Sequence, residues 1–338
     1  MTQFRLHGAN PEKLCEAFGI NPPGKIHDFS TNTNVLPWPG EFDADISALL
    51  EEYPDDESSC VRAVIAERNR CAAGNVLVTN GSNEAIYLLA SWQGGRTNYL
   101  LQPLYGEYGR ALNAYGAQIH SVLSLDEVDD KASAVWICNP CNPTGAFIEN
   151  DILASVITAH PSTLFVIDEA YRELMYDQPE PFDFTLYENT VLLRSLTKIY
   201  RLCGARIGYV LAHQHITDKL RRRQPTWSVN ALAQRAAAAF LADTDYPIRS
   251  RAYYGAETRR LADALRESGW NVLPTRVNFF LVETEDDEAL ISFLLKRGIA
   301  VRHTRNFEGL DGGYVRIAAR TAEEDDLLIA AMREYRGR

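Results

Sequence analysis

The sequence predicts an α/β fold: an open, mainly parallel or mixed sheet covered by helices, followed by a smaller lobe. Short apolar runs of strand length recur over the first two thirds of the chain. Helix-like stretches alternate with them, as crossover connections between parallel strands require. The length of 338 residues leaves room for a large core and two lobes.

In order, the strands are read at "NVLVT" (75–79), "TNYLL" (97–101), "AVWIC" (134–138), "LFVID" (164–168), "TVLLR" (190–194) and "IGYVLA" (207–212). Their apolar residues run on rather than alternate, which marks strands buried on both faces. Helical stretches are expected at 83–92, 106–115 and 150–159. Such an alternation places ligands at the carboxyl ends of the strands. After residue 228 the texture changes. "VNALAQRAAAAFLAD" and then 246–268 read as long helices. Strand "VNFFLV" (277–282), helix 286–297, strand "GYVRIA" (313–318) and helix 321–335 form the smaller lobe.

Composition narrows the function. Apolar residues make up 46% and charged residues 23%, ordinary for a globular enzyme. A formal net charge of −11 argues against nucleic acid or an anionic membrane as main partner. "MTQFRLHGAN" lacks the apolar core of a signal peptide, and no run approaches the length of a membrane span. Six cysteines without disulfide-like spacing suit reduced thiols in the cytoplasm. No internal repeat or low-complexity linker is visible.

Chemistry gathers where the strands run out. Gly81-Ser82-Asn83 opens a helix after the strand at 75–79, and free backbone N–H groups there suit a phosphate. Ser82 as a simple N-cap explains the same residues. "CNPCNPTG" (138–145) is a stiff turn in which Asn142 can donate a hydrogen bond. A redox pair of Cys138 and Cys141 is the weaker reading, because no thioredoxin-like context surrounds them. "LFVIDEAY" ends a buried strand in Asp168 and Glu169, and a carboxylate there needs a cationic partner: an arginine, a metal or a protonated ligand nitrogen. Metal is the weaker case, since His213 and His215 lie in a polar segment beyond the next strand.

Lysine is scarce, with six (13, 25, 131, 198, 219 and 296) against 28 arginines. Only Lys198 directly follows an apolar strand, in "VLLRSLTKIYRLCGARIGYV" (191–210), near Ser195, Thr197, Arg201 and Arg206. A partly desolvated amine among cationic groups loses its proton more readily and becomes a nucleophile toward carbonyls. With an aspartate for a pyridinium nitrogen and hydroxyls for a phosphate, it describes a pyridoxal phosphate site. Taken singly, Lys198 reads better as a surface lysine at a strand end.

Seven segments in order, "EEYPD", "NGSNEA", "PLYGEY", "NPCNPTG", "VIDEAY", "SLTKIYRLCGARIGY" and "YVRIAAR", span residues 51 to 320. Together they resemble the fold-type I pyridoxal phosphate enzymes of the aminotransferase class I/II group. The resemblance implies a large cofactor-binding domain over 41–235, with a mostly parallel central sheet. It also implies a smaller α+β domain from 236–338, joined by the N-terminal segment 1–40. Lys198 would carry the cofactor, and Asp168 would pair with its ring nitrogen. Asn142 and Tyr171 would contact the ring oxygen, with Tyr105 stacked on the ring. Gly81, Ser82, Asn83, Ser195, Thr197 and Arg206 would hold the phosphate. Tyr53 would reach the cofactor of a neighbouring subunit, which implies a homodimer. Arg316 would hold a substrate carboxylate through a bidentate fork.

Within the group, the chain ends are similar to the L-threonine O-3-phosphate decarboxylases. "LHGAN" (6–10), "HDFSTNTN" (27–34), "TWSVNALA" (226–233) and "VRHTRNFEGLDGGYVRIAAR" (301–320) carry this likeness. It implies that His7, Asn32 and Arg302 bind the phosphate of a small amino-acid-like substrate. The histidinol-phosphate aminotransferases are the competing subfamily.

Overall fold

The computed structural model describes residues 8–38 and 42–337. Twelve strands are assigned among them: β1 (His27–Asp28), β2 (Val76–Thr79), β3 (Thr97–Leu101), β4 (Gln118–Val122), β5 (Ala134–Cys138) and β6 (Leu164–Asp168). β7 (Thr190–Ser195), β8 (Gly208–Ala212), β9 (Phe279–Glu283), β10 (Ile299–Ala300), β11 (Arg302–His303) and β12 (Tyr314–Ala318) complete the set.

Seven strands form the large sheet in the order β2-β8-β7-β6-β5-β3-β4. β3 to β7 run parallel, while β8 is antiparallel to both of its neighbours. The predicted strands are present, most of them within one or two residues of the expected bounds. β4 was not anticipated. Its side chains, apart from Val122, are exposed or half-buried, so "QIHSV" carries no apolar run.

Alternation along the central strands sends side chains into two cores. Val135, Ile137, Phe165, Ile167 and Leu192 pack into one, together with residues of the helices Ser59–Arg68, Ala231–Leu241 and Asp245–Glu267. Ala134, Trp136, Val166, Val191 and Leu193 pack into the other, with the helices Gly81–Trp92 and Glu107–Ala114. This is why the runs are apolar throughout.

The register aligns Cys138 with Asp168, Asp168 with Leu193, and Ser195 with Gly208, so β5, β6 and β7 end side by side. A second sheet, in the order β11-β12-β9, is antiparallel, and a two-residue parallel pair of β1 with β10 ties in the N-terminal segment. The helices that follow these strands start on side-chain caps, Asp286 to Ala289 N and Thr321 to Glu324 N. No helix among the described residues is long and apolar enough to cross a membrane. All six cysteines are free.

One carboxyl of this region makes folding depend on pH. Asp325 is fully buried and accepts from Arg320 N at 2.9 Å. Burial, with the Glu257 carboxylate beside it and Arg260 opposing, pushes Asp325 up to about 9. The unfolded chain releases this proton near pH 4. Stability from this group is therefore fullest below about pH 4 and is lost progressively as the pH rises to about 9. Asp325→Asn keeps the acceptor for Arg320 N and removes the proton uptake. Its thermal midpoint should exceed that of the wild type by a margin that widens as the pH rises from 5 to 9. Parallel melting curves across pH 5–9 would refute the assignment.

Candidate active site

The aligned ends of β5, β6 and β7 open into a cavity of about 240 Å³. Asp168, the last residue of β6, lines it and is only 4% exposed. Its Oδ2 accepts from the Tyr108 hydroxyl at 2.7 Å and its Oδ1 from Ala170 N at 2.9 Å. Burial pushes its carboxyl above the usual range, and the Tyr108 hydroxyl is the foremost of the groups that oppose this.

Lys198 sits on the one-turn helix Leu196–Ile199 immediately after β7. It is half-buried and lines the cavity, with Nζ 5.8 Å from the centre of the Tyr171 ring. The other five lysines are all exposed. Beside it, the Ser195 and Thr197 hydroxyls lie 2.7 Å apart.

Arg206 and Gly81 approach closely. A Cβ on Gly81 would stand 2.6 Å from Arg206 Nη2, and the φ of +74° is one that strongly favours glycine. The twelve-residue helix Gly81–Trp92 begins at this point, and its cap Asn80 makes no side-chain bond to it. Ser82 is therefore a first-turn residue, not the cap. It lines the cavity with Asn83, whose buried Oδ1 has no partner.

The opposite wall comes from the second sheet. β11 and β12 set Arg302 directly across from Arg316. Arg316 Nη1 donates to Asn142 Oδ1 and Nη2 to the Ser30 carbonyl, both at 2.5 Å, and its buried Nε is unpaired. Arg302 Nη2 donates to Asn306 Oδ1 at 2.6 Å. Burial lowers both arginines, and the nearby Arg316 charge helps push Arg302 down to about 9. Among the described residues no carboxylate forms an ion pair with Arg316. Two cations so placed favour an anion entering the cavity. Asn32 joins the same wall, its Nδ2 3.4 Å from the Tyr171 hydroxyl and its buried Oδ1 unpaired.

The cavity thus brings together Asn32, Ser82, Asn83, Tyr105, Asn142, Asp168, Tyr171, Ser195, Thr197, Lys198, Arg206, Arg302 and Arg316. Gly81 adjoins it through Arg206. Tyr53 does not line it: the ring is 79% exposed and stacks on Trp227 at 4.5 Å. His7 lies outside the described residues. Sequence reasoning missed Tyr108 and Phe307, which also line the cavity, as does Cys138, weighed above only as half of a redox pair. Tyr108 left no signal: it lies on the buried face of the helix Glu107–Ala114, which Tyr105 precedes.

These residues fit a phosphorylated pyridine. A helix start without a side-chain cap, two hydroxyls and a guanidinium suit its phosphate. A buried carboxylate held by two donors, the Tyr108 hydroxyl and Ala170 N, suits a protonated ring nitrogen through its negative charge.

The model of the family described as aminotransferase class I and II matches residues 27–332. The chain is 31% identical to a threonine-phosphate decarboxylase of Salmonella typhimurium, over 97% of this chain and 95% of that one. It is 28% identical to a histidinol-phosphate aminotransferase of Methanococcus aeolicus, over 97% and 94%. Among solved structures it is similar to a histidinol-phosphate aminotransferase from Clostridium acetobutylicum, with 26% identity, TM-score 0.86, and 91% and 98% of the two chains covered. A like match is an L-threonine-O-3-phosphate decarboxylase from Porphyromonas gingivalis, with 27% identity, TM-score 0.79, and 92% and 99% covered.

Proposed function

The chain belongs to the aminotransferase class I and II family, and from that premise we propose that it decarboxylates L-threonine O-3-phosphate with pyridoxal phosphate as cofactor. The product would be (R)-1-aminopropan-2-ol O-phosphate, a linker precursor in cobalamin biosynthesis. The observation that carries this reading is the pair of buried arginines facing each other across β11 and β12 on one cavity wall. A substrate with a carboxylate at one end and a phosphate at the other needs two separate cationic partners, because a buried unpaired anion costs several kcal/mol.

When bound, the cofactor supplies an electron sink for charge that develops at Cα. Ser82, Asn83, Ser195, Thr197 and Arg206, with the backbone at Gly81, would hold its phosphate. Asn142 and Tyr171 would face the ring oxygen, Tyr105 the ring, and Asp168 the ring nitrogen. Asp168 keeps that nitrogen protonated through its negative charge. Arg316 binds the α-carboxylate; Arg302, Asn32 and His7 bind the substrate phosphate. The incoming substrate amine would displace Lys198 and pass it a proton, and after CO₂ leaves the Lys198 ammonium would return that proton to Cα.

The same proposal divides the chain into a cofactor-binding lobe (41–235) and a smaller lobe (1–40 with 236–338). It also makes the enzyme a cytoplasmic homodimer. Tyr53, exposed and outside this chain's own cavity, would complete the phosphate site of the partner subunit.

Transamination of histidinol phosphate with 2-oxoglutarate is the second reading. Its support is the 0.86 TM-score to a histidinol-phosphate aminotransferase. Incubation with each substrate separates the two. CO₂ should be released from threonine phosphate but not from threonine. Amino transfer from histidinol phosphate without CO₂ from threonine phosphate would replace the first reading by the second. Asn32→Ala and Arg302→Gln should each weaken threonine-phosphate turnover by roughly 1–3 kcal/mol and leave cofactor affinity nearly unchanged. Equal losses in both would remove these residues from the substrate site.

A further inference from the structure

We propose that Tyr108 is a positioning residue for Asp168, whose hydroxyl keeps the proton shared by Asp168 and the cofactor's ring nitrogen on the nitrogen. The inference rests on the Asp168 pairing proposed above. It applies to decarboxylation and amino transfer alike.

The phenol is held from the side away from the cavity. The Tyr108 ring is 1% exposed and packs at 5.8 Å against both Tyr105 and Trp136. Trp136 is itself fastened, its Nε1 donating to Asn98 Oδ1 at 2.9 Å. The phenol therefore has little freedom to leave Asp168 Oδ2, 2.7 Å away. Burial and the neighbouring Asp168 charge push the phenol well above its ordinary value, so at neutral pH it stays protonated and donates.

Asp168 has the opposite problem. Burial raises its affinity for a proton, and a carboxylate of raised affinity draws the shared proton away from a ring nitrogen. The Tyr108 hydroxyl and Ala170 N each donate to one carboxylate oxygen and draw charge from it. Both bonds lower the affinity, with Tyr108 the first of the two. No covalent bond other than that to the shared proton changes. With the proton on the ring, the nitrogen is cationic and withdraws charge from Cα. With the proton on Asp168, it is neutral and withdraws less.

The test is nitrogen NMR of the holoenzyme reconstituted with pyridoxal phosphate labelled at the ring nitrogen. In the wild type the shift should be that of a protonated pyridine. In Tyr108→Phe it should move toward the neutral form, and turnover should fall on the order of 10-fold or more. Replacing Tyr108 by a ring-fluorinated tyrosine, a stronger donor of similar shape, should hold the proton on the nitrogen at least as firmly as the wild type. That variant carries the test alone if Tyr108→Phe does not fold. An unchanged nitrogen shift in Tyr108→Phe, or a move toward neutral with the fluorinated residue, would overturn the proposal. A nitrogen already neutral in the wild type would overturn the Asp168 pairing itself, and with it this role for Tyr108.

Discussion

Lys198→Ala is expected to fold, to bind pyridoxal phosphate without a covalent link, and to lose turnover by at least about 10²–10⁴-fold. Lys198 alone among the six lysines is withdrawn from solvent, and it alone lines the cavity. On the proposed reading its removal deletes the amine that would attach the cofactor and the group that would return a proton to Cα. Little stability should be lost, because the side chain makes no ion pair among the described residues. Borohydride followed by denaturation should fix cofactor to the wild-type chain and not to the variant. Cofactor fixed to another lysine in the variant would sink the assignment.

Asp168→Asn is the next largest expected effect, and it separates activity from stability. The carboxylate is fully buried, and burial works against its charge. A neutral amide avoids that cost, so the variant should melt no lower than the wild type. The amide cannot hold a ring nitrogen protonated, so turnover should fall on the order of 10²–10³-fold, as when one electrostatic contact to a developing charge is removed. Cofactor should still bind through the phosphate side of the cavity. A variant that keeps most of its activity would show that Asp168 faces something other than the cofactor nitrogen.

What could be read without coordinates depended on chemical contrast. Asp168 and Lys198 stand out because one ends an apolar strand and the other follows one, where an ionisable group needs a reason to be. The long buried strands were legible for the same reason, since a sheet covered on both faces leaves continuous apolar runs. Tyr108 was not singled out, because a tyrosine in an amphipathic helix reads as core. Both arginines were named, yet their opposition was not legible. β11 is two residues long, and ten residues separate it from β12, so no periodicity sets the register of Arg302 against Arg316. Tyr53 was singled out by the resemblance alone, and in a single chain it lies away from the cavity.

The two outer strands of the large sheet bear on how this protein stays dispersed. An unpaired strand edge is a template for another chain. On β2 the edge is blunted from within, as Gln224 Nε2 donates to Val78 O at 2.9 Å and Arg221 Nη2 reaches Val76 O at 3.5 Å. On β4 the protection is polarity. Gln118, His120 and Ser121 face outward, and Ser121 is engaged by Glu308 at 2.6 Å. The polarity that hides β4 from a search for apolar runs also makes its rim a poor seed for fibrils, so crowded or partly heated enzyme should meet its first aggregation hazard elsewhere.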